Sequence, residues 1–172
     1  MLTMTRKATA IAVFIFALSF ASATFAQGGG FDFSMRAIDG EAVTSQSLRG
    51  EVVVLAFGTS WLPLTRTQLE GVKKLADQYA GKGVAVYWVS VDSDNPRSKN
   101  YVPDDQLRDL ARKYKVTILR DPDGVASRKM GVDQLPSVVI LDKQGNIAAS
   151  IGGMDPNANL TTQLAARLDK IL

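Results

Sequence analysis

Phe57-Gly58-Thr59-Ser60-Trp61-Leu62-Pro63-Leu64-Thr65-Arg66 is the junction between two kinds of hydrophobic periodicity. Ahead of it, Val52-Val53-Val54-Leu55-Ala56-Phe57 is unbroken and apolar, the pattern of a central strand buried on both faces. Behind it, Leu69, Val72, Leu75 with Ala76, and Tyr79 recur at helical spacing. Pro63 suits the first turn of that helix, where a missing N–H removes no bond. A strand running through a short turn into a helix is where many α/β proteins carry their chemistry. This junction holds no histidine, cysteine or carboxylate.

The same alternation of strand and helix continues downstream. Gly81 and Gly83 close the helix, and Val84-Ala85-Val86-Tyr87-Trp88-Val89-Ser90-Val91 is a second apolar strand, so the short connections favour a parallel crossover. A polar loop over residues 92–103 contains Pro96, Arg97 and Lys99. Asp104 and Asp105 then sit in a first turn, favourable to the helix dipole, ahead of an apolar face of Leu107, Leu110, Ala111 and Tyr114. Residues 116–119 predict a short strand, Asp121-Pro122-Asp123-Gly124 a turn, and residues 125–130 a short helix. Ser137-Val138-Val139-Ile140-Leu141 and residues 147–151 flank a turn at Asp142-Lys143-Gln144-Gly145, as in an antiparallel hairpin. Leu160, Leu164, Ala165, Leu168 and Ile171 mark a last helix.

Upstream, Phe31-Asp32-Phe33-Ser34-Met35 alternates as a half-buried strand, Asp39-Gly40 marks a turn, and Ala42-Val43 returns. The whole predicts one α/β domain over residues 31–172: a mixed central sheet flanked by helices on both faces, with an N-terminal β-hairpin extension and no internal repeat.

Residues 1–26 have the layout of a secretory signal peptide. Arg6 and Lys7 precede an apolar run over residues 8–20, and Ala21-Ser22-Ala23 and Thr24-Phe25-Ala26 both fit a cleavage site. The alternative is an uncleaved anchor helix, but the run falls short of the ~20 apolar residues that span a bilayer. No cysteine follows it to carry a lipid. Residues 27–30, Gln-Gly-Gly-Gly, form a flexible leader. The expected location is therefore the periplasm or the exterior, with no stable membrane anchor after cleavage.

Of 20 basic and 17 acidic residues, the signal holds two basic and none acidic, which leaves 18 against 17, a net charge of +1. Nothing in that balance points to nucleic acid. Zero cysteines in an exported chain mean that the core must hold the fold without disulfides, and exclude thiol chemistry by this chain.

The order of these elements, with particular residues, resembles the thioredoxin-like superfamily, and within it the exported TlpA/ResA-like proteins and the redoxin (AhpC/TSA) group. The residues that carry the resemblance are Asp39-Gly40, Leu48-Arg49-Gly50, Phe57 to Trp61, Lys82-Gly83-Val84, Val89-Ser90-Val91-Asp92, Gly131-Val132, Leu135-Pro136-Ser137, and Leu141 to Gly145. They extend over nearly all of residues 31–172. The resemblance implies a thioredoxin-like fold and, after Trp61, a Cys-x-x-Cys dithiol. This chain has Leu62-Pro63-Leu64-Thr65 in that register, so Leu62 and Thr65 occupy the cysteine positions. A leucine can form neither thiolate nor disulfide, and Thr65 has no histidine to act as its base. The enzyme reading that the family suggests, a thiol–disulfide oxidoreductase or peroxiredoxin-type antioxidant, thus lacks its sulfur; a structural envelope component is the other alternative.

The resemblance further implies a cis proline at Pro136, with the backbone of Leu135 pairing to an extended peptide. Opposite would stand Trp61, Leu62, Pro63, Leu64 and Thr65. The favoured expectation is a redox-inactive domain that binds a protein or extended peptide there. Its alternative is that Trp61 packs on the sheet and the leucines fill space. No cofactor or metal is expected. Met35, Met130 and Met154 are too scattered for a copper site, and Asp92-Ser93-Asp94 and Asp121-Pro122-Asp123 suit strand ends and turns that cap backbone groups. Asn159-Leu160-Thr161 matches a glycosylation sequon but sits where a helix cap is needed.

Overall fold

Strand β3 (Val52–Gly58) is the axis of the molecule, and all seven of its residues are buried. The computed structural model describes residues 30–153, 155 and 159–172; the expected signal peptide, most of the leader and Met154 lie outside the described residues. Before β3 come β1 (Ser34–Ala37) and β2 (Ala42–Thr44). After it follow α1 (Thr65–Gln78), β4 (Val84–Ser90), α2 (Asp104–Tyr114), β5 (Ile118–Arg120), α3 (Val125–Lys129), β6 (Ser137–Leu141), β7 (Ile147–Gly152) and α4 (Leu160–Leu168).

The strands form one seven-stranded sheet in the order β2-β1-β5-β4-β3-β6-β7. β3, β4 and β5 are parallel, whereas β1 runs antiparallel to β5, and β6 and β7 return antiparallel beyond β3. The fold is thioredoxin-like, with the N-terminal hairpin added as an edge. Alternate residues of β3 face opposite layers, the strand period of two. Val52, Val54 and Ala56 pack with Leu69, Val72 and Leu75 of α1, Leu107 of α2, and Leu160, Leu164 and Leu168 of α4. Val53, Leu55 and Phe57 pack with Phe33, Met35, Val43, Ala126 and Met130. Helices thus cover both faces unequally: α1, α2 and α4 on one, the short α3 on the other.

Several expected boundaries move, each for a visible reason. The first strand begins at Ser34 rather than Phe31, because pairing starts at Ser34 with Thr44 while the Phe31 N–H is donated to Gly145 O at 2.9 Å. The inward alternation of Phe33 and Met35 holds. β5 runs over Ile118–Arg120 rather than 116–119, since the Val116 N–H still closes α2 on Ala111 O. α1 starts at Thr65, two residues past Pro63, because residues 59–64 form a turn of their own. Asn159 caps α4, its side chain accepting the Thr161 N–H at 2.9 Å.

Candidate functional site

The parallel register sets Gly58 beside Ser90, and the antiparallel one sets Phe57 beside Ser137. The turn after β3, the loop after β4 and the approach to β6 therefore meet at one end of the sheet. This is the carboxyl end of the central strand, at the point where neighbours on its two sides run in opposite senses, the usual ligand position in open α/β sheets.

The turn is held from below. Ser60 donates its N–H to Asp92 Oδ2 at 2.8 Å, and the Ser90 hydroxyl donates to the same oxygen at 2.9 Å. Leu62 N–H returns to Thr59 O, Thr65 N–H to Leu62 O at 3.1 Å, and the Thr65 hydroxyl also donates to Thr59 O. Gln68 in α1 is fully buried: its amide N–H group donates to Phe57 O at 3.1 Å and lies 3.5 Å from Ser137 O, while its Oε1 accepts the Trp88 indole N–H at 2.8 Å. That crossing explains Gly58, since a Cβ there would stand 2.6 Å from Gln68 Oε1 and 3.2 Å from Trp88.

Asp92 is fully buried, and its Oδ1 has no hydrogen-bond partner among the described residues; neither does the buried Thr59 Oγ1. Burial pushes the Asp92 carboxyl up from the usual range, and the bonds from Ser60 and Ser90 and the Arg120 charge pull back only in part. Arg120, 3% exposed, donates to Asp92 O and Val102 O and lies 3.4 Å from Asp104 Oδ1, while Arg36 approaches the other oxygen, Asp104 Oδ2, from outside at 2.9 Å. A chain of charge thus runs from the surface of β1 to the underside of the turn.

Of the residues singled out from sequence, Trp61 is 59% exposed and does not pack on the sheet. Leu62 and Leu64 are half-buried, and Pro63 is exposed. Thr65 is buried with its hydroxyl turned back to Thr59. Leu135 is half-buried, Pro136 is buried, and the peptide between them is cis. The strand register brings these two segments to one rim; among the described residues, Pro136 lines a cavity of about 10 Å³ with Gln68, Ser137 and Leu160, and none of residues 61–65 borders that cavity.

Gln68 and Asp92 were not recognisable as supports of the site. A glutamine one position before Leu69 on the buried face of α1 was the available signal. Asp92 read correctly as a residue capping backbone, but its partner lies 32 residues away. Asp121 does what was expected of it, accepting the Ala126 and Ser127 N–H groups at the start of α3. Met35 and Met130 are core residues of the second layer, and no group of three or more His, Cys, Asp or Glu that could hold a metal occurs among the described residues.

Comparison with known proteins agrees with this geometry. The chain is 32% identical over 118 residues to the thioredoxin-like protein YneN of Bacillus subtilis, covering 67% of this chain and 65% of that protein. It is 27% identical over 130 residues to the thiol:disulfide interchange protein DsbE of Pseudomonas aeruginosa, covering 76% and 67%. The match thus spans about two thirds of the length of these relatives. The crystal structure of the pneumococcal exposed lipoprotein thioredoxin of Streptococcus pneumoniae superposes with a TM-score of 0.61 at 25% identity, over 77% of this chain and 97% of that one. The model of the AhpC/TSA family matches residues 30–150, from the hairpin into β7. With the sheet order, the turn after β3 and the cis proline all in place, and with no cysteine anywhere in the sequence, the chain belongs to the AhpC/TSA family as a member without cysteine.

Proposed function

We propose that this chain is a redox-inactive, exported binding domain that takes up an extended segment of a protein partner across Trp61, Leu62, Pro63, Leu64 and the Leu135-Pro136 peptide. The observation that carries the reading is the exposure of Trp61: a 59% exposed indole stands on a turn that Asp92, Thr65 and Gln68 fix from beneath. Large aromatic side chains on rigid supports are the usual anchors of binding surfaces. Export is supported by the signal-like residues 1–26 and by likeness to an exposed lipoprotein thioredoxin. Thiol–disulfide exchange, for which the DsbE relative is named, requires a thiolate that this sequence does not contain.

The test is a peptide selection followed by mapping. Peptides of about ten residues are selected on the protein, and amide shifts are followed on titration. Binding through this rim perturbs residues 60–65 and 134–137 and is weakened at least tenfold by Trp61→Ala. Shifts confined to other surfaces, or turnover by the pure protein in an insulin-reduction assay, overturn the reading.

A further inference from the structure

A second surface stands out on the flank of α1. Arg66, Glu70, Lys73 and Lys74 share one face of that helix at spacings of four, three and one, and with Lys113, Tyr114 and Lys115 at the end of α2 they line a groove of about 460 Å³. Five cations face one carboxylate in a domain whose charge is nearly balanced. Glu70 is paired with Arg66 at 2.9 Å, Lys73 with Asp77, and Lys113 lies over the Tyr114 ring at 5.4 Å. Lys74 and Lys115 have no ion pair or side-chain hydrogen bond among the described residues.

Lys115 adds an independent sign. It is the one non-glycine residue with positive φ among the described residues, at φ 54°, ψ 49°, in the position that closes α2. Glycine is the usual choice there, because a Cβ is disfavoured in that region. A lysine in its place keeps a charge on the wall of the groove despite the backbone strain, and strained residues cluster at functional positions.

We infer that this groove binds an acidic segment of a polypeptide, with an apolar side chain seated between its carboxylates. The lining decides the class. Its one guanidinium is tied through Nε to Glu70, and its other charges are lysine point charges on flexible stems, not a set of forks built for bidentate grip of a phosphate. Those stems and the Tyr114 ring form an apolar floor. From residue 66 to 74 the helix rises about 12 Å, the length of about four residues of extended chain. This site stands or falls apart from the Trp61 rim.

The experiment uses a fluorescein-labelled peptide, Glu-Glu-Phe-Glu-Glu, titrated with the protein and followed by anisotropy at 50 mM and 200 mM salt. Binding is expected at low salt, weakening several-fold at high salt as the screening length shortens. Lys74→Glu with Lys115→Glu is expected to weaken it at least tenfold, and Lys99→Glu, an exposed loop change of the same sign, less than twofold. Lys115→Gly removes charge while relaxing φ. It is expected to weaken binding severalfold with no fall in the thermal midpoint, so the site remains testable even if the double reversal fails to fold. No binding by wild type, an equal loss in Lys99→Glu, or Lys74-dependent binding of phosphatidylglycerol vesicles or inorganic phosphate in place of the peptide overturns the inference. Trp61→Ala is expected to leave this titration unchanged.

Discussion

Replacing Gln68 by glutamate tests the buried hydrogen-bond junction that holds the candidate site. The amide of Gln68 gives an N–H to Phe57 O at 3.1 Å and takes one from Trp88 at 2.8 Å, with no exposure to water. A protonated glutamic acid fits both partners: its O–H can donate to Phe57 O and its carbonyl can accept from the indole. A carboxylate cannot, since it would face the Phe57 carbonyl oxygen in a site without solvent. In the Gln68→Glu variant the folded-state pKa of the introduced carboxyl must therefore lie above its unfolded value of about 4.3. For an acid raised in this way, the native state binds the extra proton between the two values, so stability falls as pH rises through that interval. Each pH unit removes about 1.4 kcal/mol, so a group kept neutral to pH 7 lowers stability there by about 3.7 kcal/mol while leaving it near wild type at pH 4. That is a large part of the roughly 5–15 kcal/mol typical of a domain.

The assay is the urea midpoint at pH 4 to 8, read by fluorescence, with the buried Trp88 reporting the core. The contribution of Asp92 to the pH profile is common to both proteins and cancels in their difference. Gln68→Leu supplies the contrast: it leaves the Trp88 N–H unpaired and is expected to lose about 1–3 kcal/mol at every pH. A Gln68→Glu midpoint that follows wild type across the whole range would refute the junction as described.

The remaining predictions concern the turn itself. Asp92 carries a raised carboxyl pKa, so its ionisation weakens the native state as pH rises from the unfolded carboxylate range through the folded value; Asp92→Asn removes that loss, and its urea midpoint relative to wild type is expected to climb between pH 4 and 8. Asp92→Ala leaves the Ser60 N–H without its acceptor, and hydrogen exchange at that amide is expected to quicken at least tenfold. Leu62→Cys with Thr65→Cys restores the family's spacing on an intact scaffold; dithiol reductase activity in the insulin assay is the expected outcome, and a folded but inert double variant would show that the rim has diverged from that task.

How much of this was legible without coordinates differs by the range of the interaction. The apolar run of β3 announced itself because a strand covered on both faces has no polar residues to hide it, and all seven positions are buried. Asn159 was readable as a cap because its partner is two residues away. The start of α1 was misplaced for a local reason: Pro63 is compatible with a first helical turn, but the Thr59 carbonyl draws both Leu62 N–H and the Thr65 hydroxyl and closes a separate turn first. Asp92 and Gln68 were hidden by distance. Asp92 meets Ser60 because parallel pairing brings Gly58 level with Ser90, and Gln68 meets Trp88 across a helix–sheet contact 20 residues apart. Polar residues on a buried face signal that a partner exists without saying where it is.

What a family member without cysteine keeps at this turn follows from which parts would depend on a thiol. Thiolate chemistry needs a nucleophile at the position of Leu62, and there the side chain is apolar; at Thr65 the hydroxyl is donated inward to Thr59. The support is of another kind. Asp92 beneath Ser60 and Gln68 between β3, β4 and β6 act on backbone and on Trp88, and neither requires a cysteine to be useful. A turn kept rigid by two buried polar junctions would be an unneeded expense if it presented nothing, and it presents Trp61. With 59% of that residue exposed, covering it removes roughly 100–150 Å² from water, worth about 3 kcal/mol or somewhat over a hundredfold in affinity before ordering losses. The surplus of stabilised backbone under an uncovered indole is the ground on which the proposed recognition role rests.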